Sequence, residues 1–389
     1  MVIRFVIAAL IFHAWVIPTA YLLGRRWVDR VRKPGPAWLW ALRLAADATV
    51  LALASGIFAV MASVFARSGG FTTVRFVSQA LFGEGVALLA WVAFLHLRAG
   101  KGGDGLRARG VALVLATVVL LLVYVEAYHR CPYDLQVRRY SLDVSRGRPG
   151  ARTLRILHLS DLQTHAIRPY EERVFRVAKE QNADLIVFTG DYIQPRLGTK
   201  REPAAAALTA LLRRTALSPK LGFYAVGGDA EGGRDSEWMP MLQAGGITPL
   251  SDEHVRVPFG DGRALVLIGL SLRMSRWNKP EDVRRLVEAA PAGDVRLVMG
   301  HSPDYVRALP GAGRVDLALA GHTHGGQIVL PFLGPPVTLS RLPRKYAGGL
   351  NVYQGVPLHV SRGIGMERRA APQIRFLCPP ELSVIDLRY

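Results

Sequence analysis

Acidic and imidazole side chains recur at one kind of place in this sequence. LRILHLS (154–160) runs into Asp161, DLIVFTG (184–190) into Asp191 and LGFYAVGG (221–228) into Asp229. DVRLVMG (294–300) runs into His301, and VDLALAG (315–321) into His322 and His324. Carboxylates and imidazoles are ordinary ligands of divalent metals. Two histidines two apart on a glycine-flanked loop can address two ions. A lone Gly-Asp is usually a turn and a lone Gly-His an ordinary histidine, but chance does not account for five such junctions in succession. SDLQTH (160–165) raises a question: Gln163 stands two residues after Asp161, where histidine is the more usual ligand.

Each junction follows a short apolar run, which reads as a buried strand. Helix-like stretches cover 169–180, 203–217 and 280–290. Strands alternating with helices imply α/β layering, and in such sheets ligands gather beyond the carboxyl ends of the strands. Five strands ending in Asp or His therefore converge on one place. Upstream, LQVRRYSLDVS (135–145) alternates and then meets Gly147, Pro149 and Gly150, a strand and a turn.

The first third of the chain is different. Of 389 residues, 1–129 are dominated by apolar runs near the ~20-residue length that spans a bilayer. They fall at 5–23, about 44–65, about 76–97 and 110–128. Gln79 and Glu84 make the third the weakest. A cleaved signal peptide would explain only the first, so four retained helices are expected. The segments 25–33 and 98–110 are basic, whereas the loop between helices two and three has only Arg67 and Arg75. The positive-inside rule then puts the soluble domain on the extracytoplasmic face of an integral membrane protein. The expected division is 1–129, a four-helix transmembrane region, and 130–389, a catalytic domain.

Net charge is +19. Of the 49 Lys/Arg and 30 Asp/Glu, 36 and 25 lie in 130–389. A basic domain beside a membrane suits anionic partners: lipid head groups, phosphorylated substrates or nucleic acid. There is no basic–aromatic interleaving or reading motif for nucleic acid. The two cysteines, Cys131 and Cys378, match no metal-binding spacing, and outside the cytoplasm they could pair.

At the strand-end residues the chain resembles the calcineurin-like metallophosphoesterases, and more closely their membrane-anchored branch. The family's blocks D-x-H, G-D, G-N-H-(D/E), G-H and G-H-x-H correspond to 161–163, 190–191, 228–231, 300–301 and 321–324. VSRGIG (360–365) and RFLCPPEL (375–382) also look like this branch. The resemblance implies a sandwich of two mixed β-sheets flanked by helices. It implies one metal held by Asp161, Gln163, Asp191 and His324, and another held by Asp191, Asp229, His301 and His322, with Asp191 bridging. It assigns the catalytic set Asp191, His322, His324 and Glu231. The expected substrate is a phosphomonoester or phosphodiester, including a lipid-linked one, hydrolysed by a metal-activated bridging water.

Three positions depart from the family: Gln163 for a metal-binding His, Asp229 for a metal-binding Asn, and Ala230 for a His that contacts the phosphate or leaving group. A Gln oxygen is a harder, weaker ligand than imidazole, and Asp229 adds a charge. Together they favour Mn²⁺ or Mg²⁺, with Zn²⁺ or Fe as alternatives. Loss of the His at Ala230 points to reduced rate, the cost of a missing general acid being ~10²–10⁴-fold. It leaves open a metal- or phosphate-binding pseudoenzyme with a sensing or regulatory role. His165 is a candidate replacement acid. Arg168, Arg196, Arg362, Arg368 and Arg369 are candidates for gripping phosphate.

Overall fold

A computed structural model describes eight positions between 82 and 97, and residues 104–147, 149–195, 199–277, 279–367 and 372–389. The first two expected membrane helices, most of the third, and Arg196, Arg368 and Arg369 lie outside the described residues; the eight described positions of the third are helical. The chain divides into two units near residue 126.

In the first unit, α1 (Asp104–Val125) covers most of the fourth expected span. With the turns that follow, Arg107–Tyr133 is the one stretch among the described residues long and apolar enough to cross a membrane, at mean hydropathy 2.4. At 1.5 Å per residue, a 22-residue helix is ~33 Å long, against a ~30 Å hydrocarbon core. Leu115, Val119 and Leu122 are exposed, as the lipid-facing side chains of such a helix would be.

The second unit is Ala127–Arg369 with Ile374–Tyr389. It is a sandwich of two six-stranded mixed sheets with helices outside. Its first sheet takes β1 (Gln136–Asp143), β2 (Thr153–Leu159), β3 (Leu185–Phe188), β4 (Phe223–Ala225) and β5 (Thr248–Pro249). The second takes β6 (Glu253–Pro258), β7 (Ala264–Gly269), β8 (Val295–Met299), β9 (Leu317–Ala320), β10 (Gly349–Tyr353) and β11 (Val356–Val360). The last strand, β12 (Glu381–Arg388), returns to the first sheet, giving the orders β1-β12-β2-β3-β4-β5 and β10-β11-β9-β8-β7-β6. It is parallel to β1 and antiparallel to β2.

The period-2 geometry of strands explains why their sequences are apolar throughout. Leu154 and Ile156 of β2 pack inward against the second sheet, with Leu265, Leu267 and Leu297. Leu157 and Leu159 point outward to α2 (Pro169–Glu180), α3 (Glu202–Thr215) and α4 (Asp235–Ala244), meeting Val174, Phe175, Leu208 and Leu242. Beyond the second sheet, β7, β8 and β9 bury Ile268, Val298 and Ala320 with Val283 and Val287 of α6 (Pro280–Ala289), while α5 (Leu272–Arg276) precedes it. A strand covered on both faces carries no polar alternation. The ligand-ending strands are shared: β2, β3 and β4 in the first sheet, β8 and β9 in the second.

The Cys131–Cys378 disulfide that the sequence leaves open does not form. Both residues are buried without a bridge, and the Cys378 thiol instead donates to the His324 carbonyl at 3.3 Å.

Candidate metal centre

The loops after β2, β3, β4, β8 and β9 bring Asp161, Asp191, Asp229, His301, His322 and His324 together at one end of the sandwich. Asp229, His301 and His322 form one cluster of donor atoms within 4.8 Å of one another; Asp161, Asp191 and His301 form a second. Asp161, Gln163, Asp191, His322 and His324 all sit at positive φ, between 42° and 71°. The left-handed region costs a non-glycine residue ~1–2 kcal/mol, and strain of this kind gathers at functional sites. The motif glycines allow the close approach. A Cβ at Gly321 would land on the Ser160 hydroxyl and the Asp161 carboxylate; one at Gly228 would land on Asp191.

Two of the imidazoles, His301 and His322, are turned to offer a lone pair inward. His301 donates from Nδ1 to the Thr189 carbonyl at 2.7 Å, which leaves Nε2 3.5 Å from Asp191 Oδ1 and 3.4 Å from Asp229 Oδ2. His322 donates from Nε2 to the Leu339 carbonyl at 3.0 Å, which leaves Nδ1 2.8 Å from Asp229 Oδ2. Outer-nitrogen bonding of this kind fixes the tautomer of a metal-ligating histidine. His324 Nε2 faces Asp161 Oδ1 at 3.6 Å; like His301 Nε2 it is buried without a hydrogen bond. These donor atoms fit divalent metals.

The electrostatics point the same way. Burial, with Asp191 adding to it, pushes the Asp161 carboxyl up to about 6. Burial opposes charge on His301, yet the surrounding Asp191, Asp229 and Asp161 raise its pKa well above the usual imidazole value. Burial and Arg375 hold His324 well below that value, hence neutral. Converging carboxylates favour positive charge at their centre, which a bound cation supplies most strongly.

The shell around the ligands explains further residues. Glu231 is buried; its carboxylate accepts from the backbone N–H groups of Asp191 (2.9 Å), Gly228 (3.1 Å) and Tyr192 (3.1 Å), and from Arg201 (2.8 Å). Ala230 contributes through its backbone, donating to Asp191 Oδ1 at 2.7 Å and accepting from Arg201 at 2.7 Å. The Gln163 amide nitrogen donates to Asp191 Oδ2 at 2.8 Å. Among the candidate phosphate-gripping arginines, Arg168 caps α2 beside Glu171 and Arg362 lies 3.5 Å from Glu381. His165 is half-buried on the loop between β2 and α2.

Sequence reasoning missed Arg276, Arg375 and Glu367. Arg276 pairs with Asp229 and lines a cavity of about 370 Å³ with Arg307, Arg341, Asp304 and Tyr305. It also missed a buried relay behind Asp161. Ser160 donates to Asp161 Oδ2 (2.6 Å) and Thr189 to Ser160 (2.7 Å). His158 Nε2 bonds Thr189 at 2.9 Å, and His158 Nδ1 bonds His359 Nδ1 at 2.9 Å across the two sheets. With Thr189 donating onward, His158 donates from Nε2, and in its neutral form it accepts at Nδ1 from His359.

Burial, then the neighbouring His359, depresses the His158 pKa well below its ordinary value. A histidine with a lowered folded pKa contributes stability above its unfolded pKa of ~6.5 and loses it as pH falls below that. The melting temperature should therefore drop between pH 7 and 5, and His158→Asn should flatten this dependence. Parallel pH profiles for the two proteins would refute the assignment.

The profile of the calcineurin-like phosphoesterase family matches residues 154–326, the stretch that supplies every ligand-bearing loop described above. The chain carries a calcineurin-like metallophosphoesterase domain. Its relatives include "Uncharacterized metallophosphoesterase YkoQ" of Bacillus subtilis, 28% identical over 277 residues, 70% of this chain and 97% of the relative. "Phosphodiesterase YaeI" of Escherichia coli is 26% identical over 241 residues, 61% and 83% of the two chains. "Transmembrane protein with metallophosphoesterase domain" of Bos taurus is 24% identical over 299 residues, 70% and 64%. The metallophosphoesterase domain thus occurs in membrane proteins among its relatives.

Proposed function

We infer that this protein is a membrane-anchored phosphoesterase that uses two divalent metals, Mn²⁺ or Mg²⁺ in preference to Zn²⁺ or Fe²⁺, to hydrolyse a phosphomonoester or phosphodiester. The observation that carries this reading is the convergence of three aspartates and three histidines, with His301 and His322 each held to a backbone carbonyl by the outer nitrogen. Asp161, Gln163, Asp191 and His324 would hold one ion, and Asp191, Asp229, His301 and His322 the other. When bound, such a pair activates a bridging water and stabilises the attacking and leaving oxygens of an in-line displacement.

The chain's own groups do the rest. Asp191 would be the ligand shared by the two ions. Glu231 is a positioning residue, fixing the backbone of Asp191 and of the Gly228 turn. Arg276, which pairs with Asp229 and lines the arginine-bearing cavity, would grip an anionic substrate. We place the domain on the extracytoplasmic face from the basic loops of the N-terminal third; a substrate at the membrane surface, a lipid-linked phosphate included, follows from that anchorage.

Metal-stripped full-length protein in detergent should release nitrophenol from bis-p-nitrophenyl phosphate when Mn²⁺ or Mg²⁺ is added. Retained metal without turnover would favour the second reading, a phosphate-binding pseudoenzyme, whose support is Ala230 in place of a histidine.

A further inference from the structure

We propose that Glu367 belongs to the metal centre and supplies, on the Asp161 side, the ligand that Gln163 lacks as an imidazole. This rests on the two-metal reading above. The Gln163 amide nitrogen lies between two carboxylates, 2.8 Å from Asp191 Oδ2 and 3.0 Å from Glu367 Oε2. A neutral amide with two N–H groups thus bridges two negative charges at the edge of the site. A half-turn of that amide replaces nitrogen by oxygen, and the same point then presents three oxygen donors, from Asp191, Glu367 and Gln163.

Glu367 is not a freely solvated side chain. Its Oε1 accepts from Gln194 Nε2 at 2.6 Å, and its backbone N–H donates to Gln327 Oε1 at 3.0 Å. Gln194 is buried three residues beyond Asp191, and Gln327 stands three residues beyond His324. The two ligand loops therefore both reach out to hold Glu367, which is the preorganisation a ligand needs. A second, separate observation points to an ion here. His324 Nε2 is buried, turned toward Asp161 and without a hydrogen bond.

Exchanging an imidazole for a carboxylate makes the site harder and more negative. Asp229 has the same effect on the other side. An oxygen-rich pair selects Mn²⁺ or Mg²⁺ over softer ions. Glu367 is thus the compensation for Gln163.

The test is Mn²⁺ binding to the chelator-stripped full-length protein, by titration calorimetry and by metal content after gel filtration. Wild type should take two ions per chain. Glu367→Gln should keep one and weaken the other by ~10–100-fold, the range for residues that support a metal site. Gln163→His added to Glu367→Gln should restore the second ion. Should the neutral variant fail to fold, Glu367→Asp keeps the charge, withdraws it by one methylene and should still weaken one ion selectively. Two ions of unchanged affinity in Glu367→Gln, or no recovery in the double variant, would overturn the assignment and leave the dinuclear reading intact. A wild type that takes fewer than two ions would sink both.

Discussion

Asp191→Ala is expected to remove both metals and to lower phosphoester hydrolysis by ~10³-fold or more, about 4 kcal/mol of transition-state stabilisation. The size follows from how many contacts meet on this carboxylate. Oδ1 accepts from the Ala230 N–H and lies 3.5 Å from His301; Oδ2 accepts from Gln163. His301 belongs to both donor clusters, and Asp191 lies against it with its second oxygen turned to Gln163. Alanine would also sit poorly at φ 59°, so Asp191→Asn is the companion variant. Asparagine tolerates the left-handed region and keeps a hydrogen-bond acceptor while losing the charge. It should fold normally and still bind little metal. Metal content, kcat/KM and melting temperature measured on both variants separate a lost ligand from a lost fold. Appreciable metal-dependent activity in Asp191→Asn would refute the bridging role.

Arg375→Met is expected to give the largest loss of stability, about 3–5 kcal/mol, as for breaking other buried charged networks. Arg375 is fully buried, and the bonds it makes run to carbonyl oxygens. Nε donates to Gly365 (2.9 Å), Nη1 to Cys378 (3.0 Å), and Nη2 to Arg362 (2.8 Å) and Gly363 (3.2 Å). Methionine fills much of the volume but leaves these carbonyls unsatisfied, at ~1–3 kcal/mol for each buried one. With 2–4 °C per kcal/mol for a domain of this size, melting should fall by roughly 6–20 °C. Arg375→Lys should not rescue it, because an ammonium cannot span the same fork of acceptors. Nη2 also lies 3.3 Å from His324 Nδ1, so the damage should extend to the metal site. A melting point within 2 °C or so of wild type would contradict this account.

The ligand-bearing strands were legible because their chemistry and periodicity coincide. β2, β3, β4, β8 and β9 each end in Asp or His, and α2, α3 and α6 lie where apolar spacing puts them. β6, β7, β10, β11 and β12 end in no ligand, so nothing drew attention to them. Arg375 was invisible for a physical reason: a buried arginine without an acid is rare, and IRFL reads as an apolar segment with one exposed charge. Glu367 hid in MERRA, a charged run that resembles solvated surface. Glu231 was expected in the catalytic set, and only the structure reveals the four donors its carboxylate serves. The Cys131–Cys378 pairing stayed open at the level of sequence because position along the chain carries no information about thiol separation.

The position of β12 bears on how the protein is made. The last eight strand residues of the chain separate β1 from β2, the strand that delivers Asp161. While a ribosome is still adding residue 380, β1 has no neighbour and β2 has an open edge. Nascent chains usually fold from the N-terminus as they emerge, but here the first sheet must wait for residues 381–388. The half-built sandwich is then an exposed, apolar intermediate. Assembly of the sandwich becomes a late event, completed only once β12 has emerged.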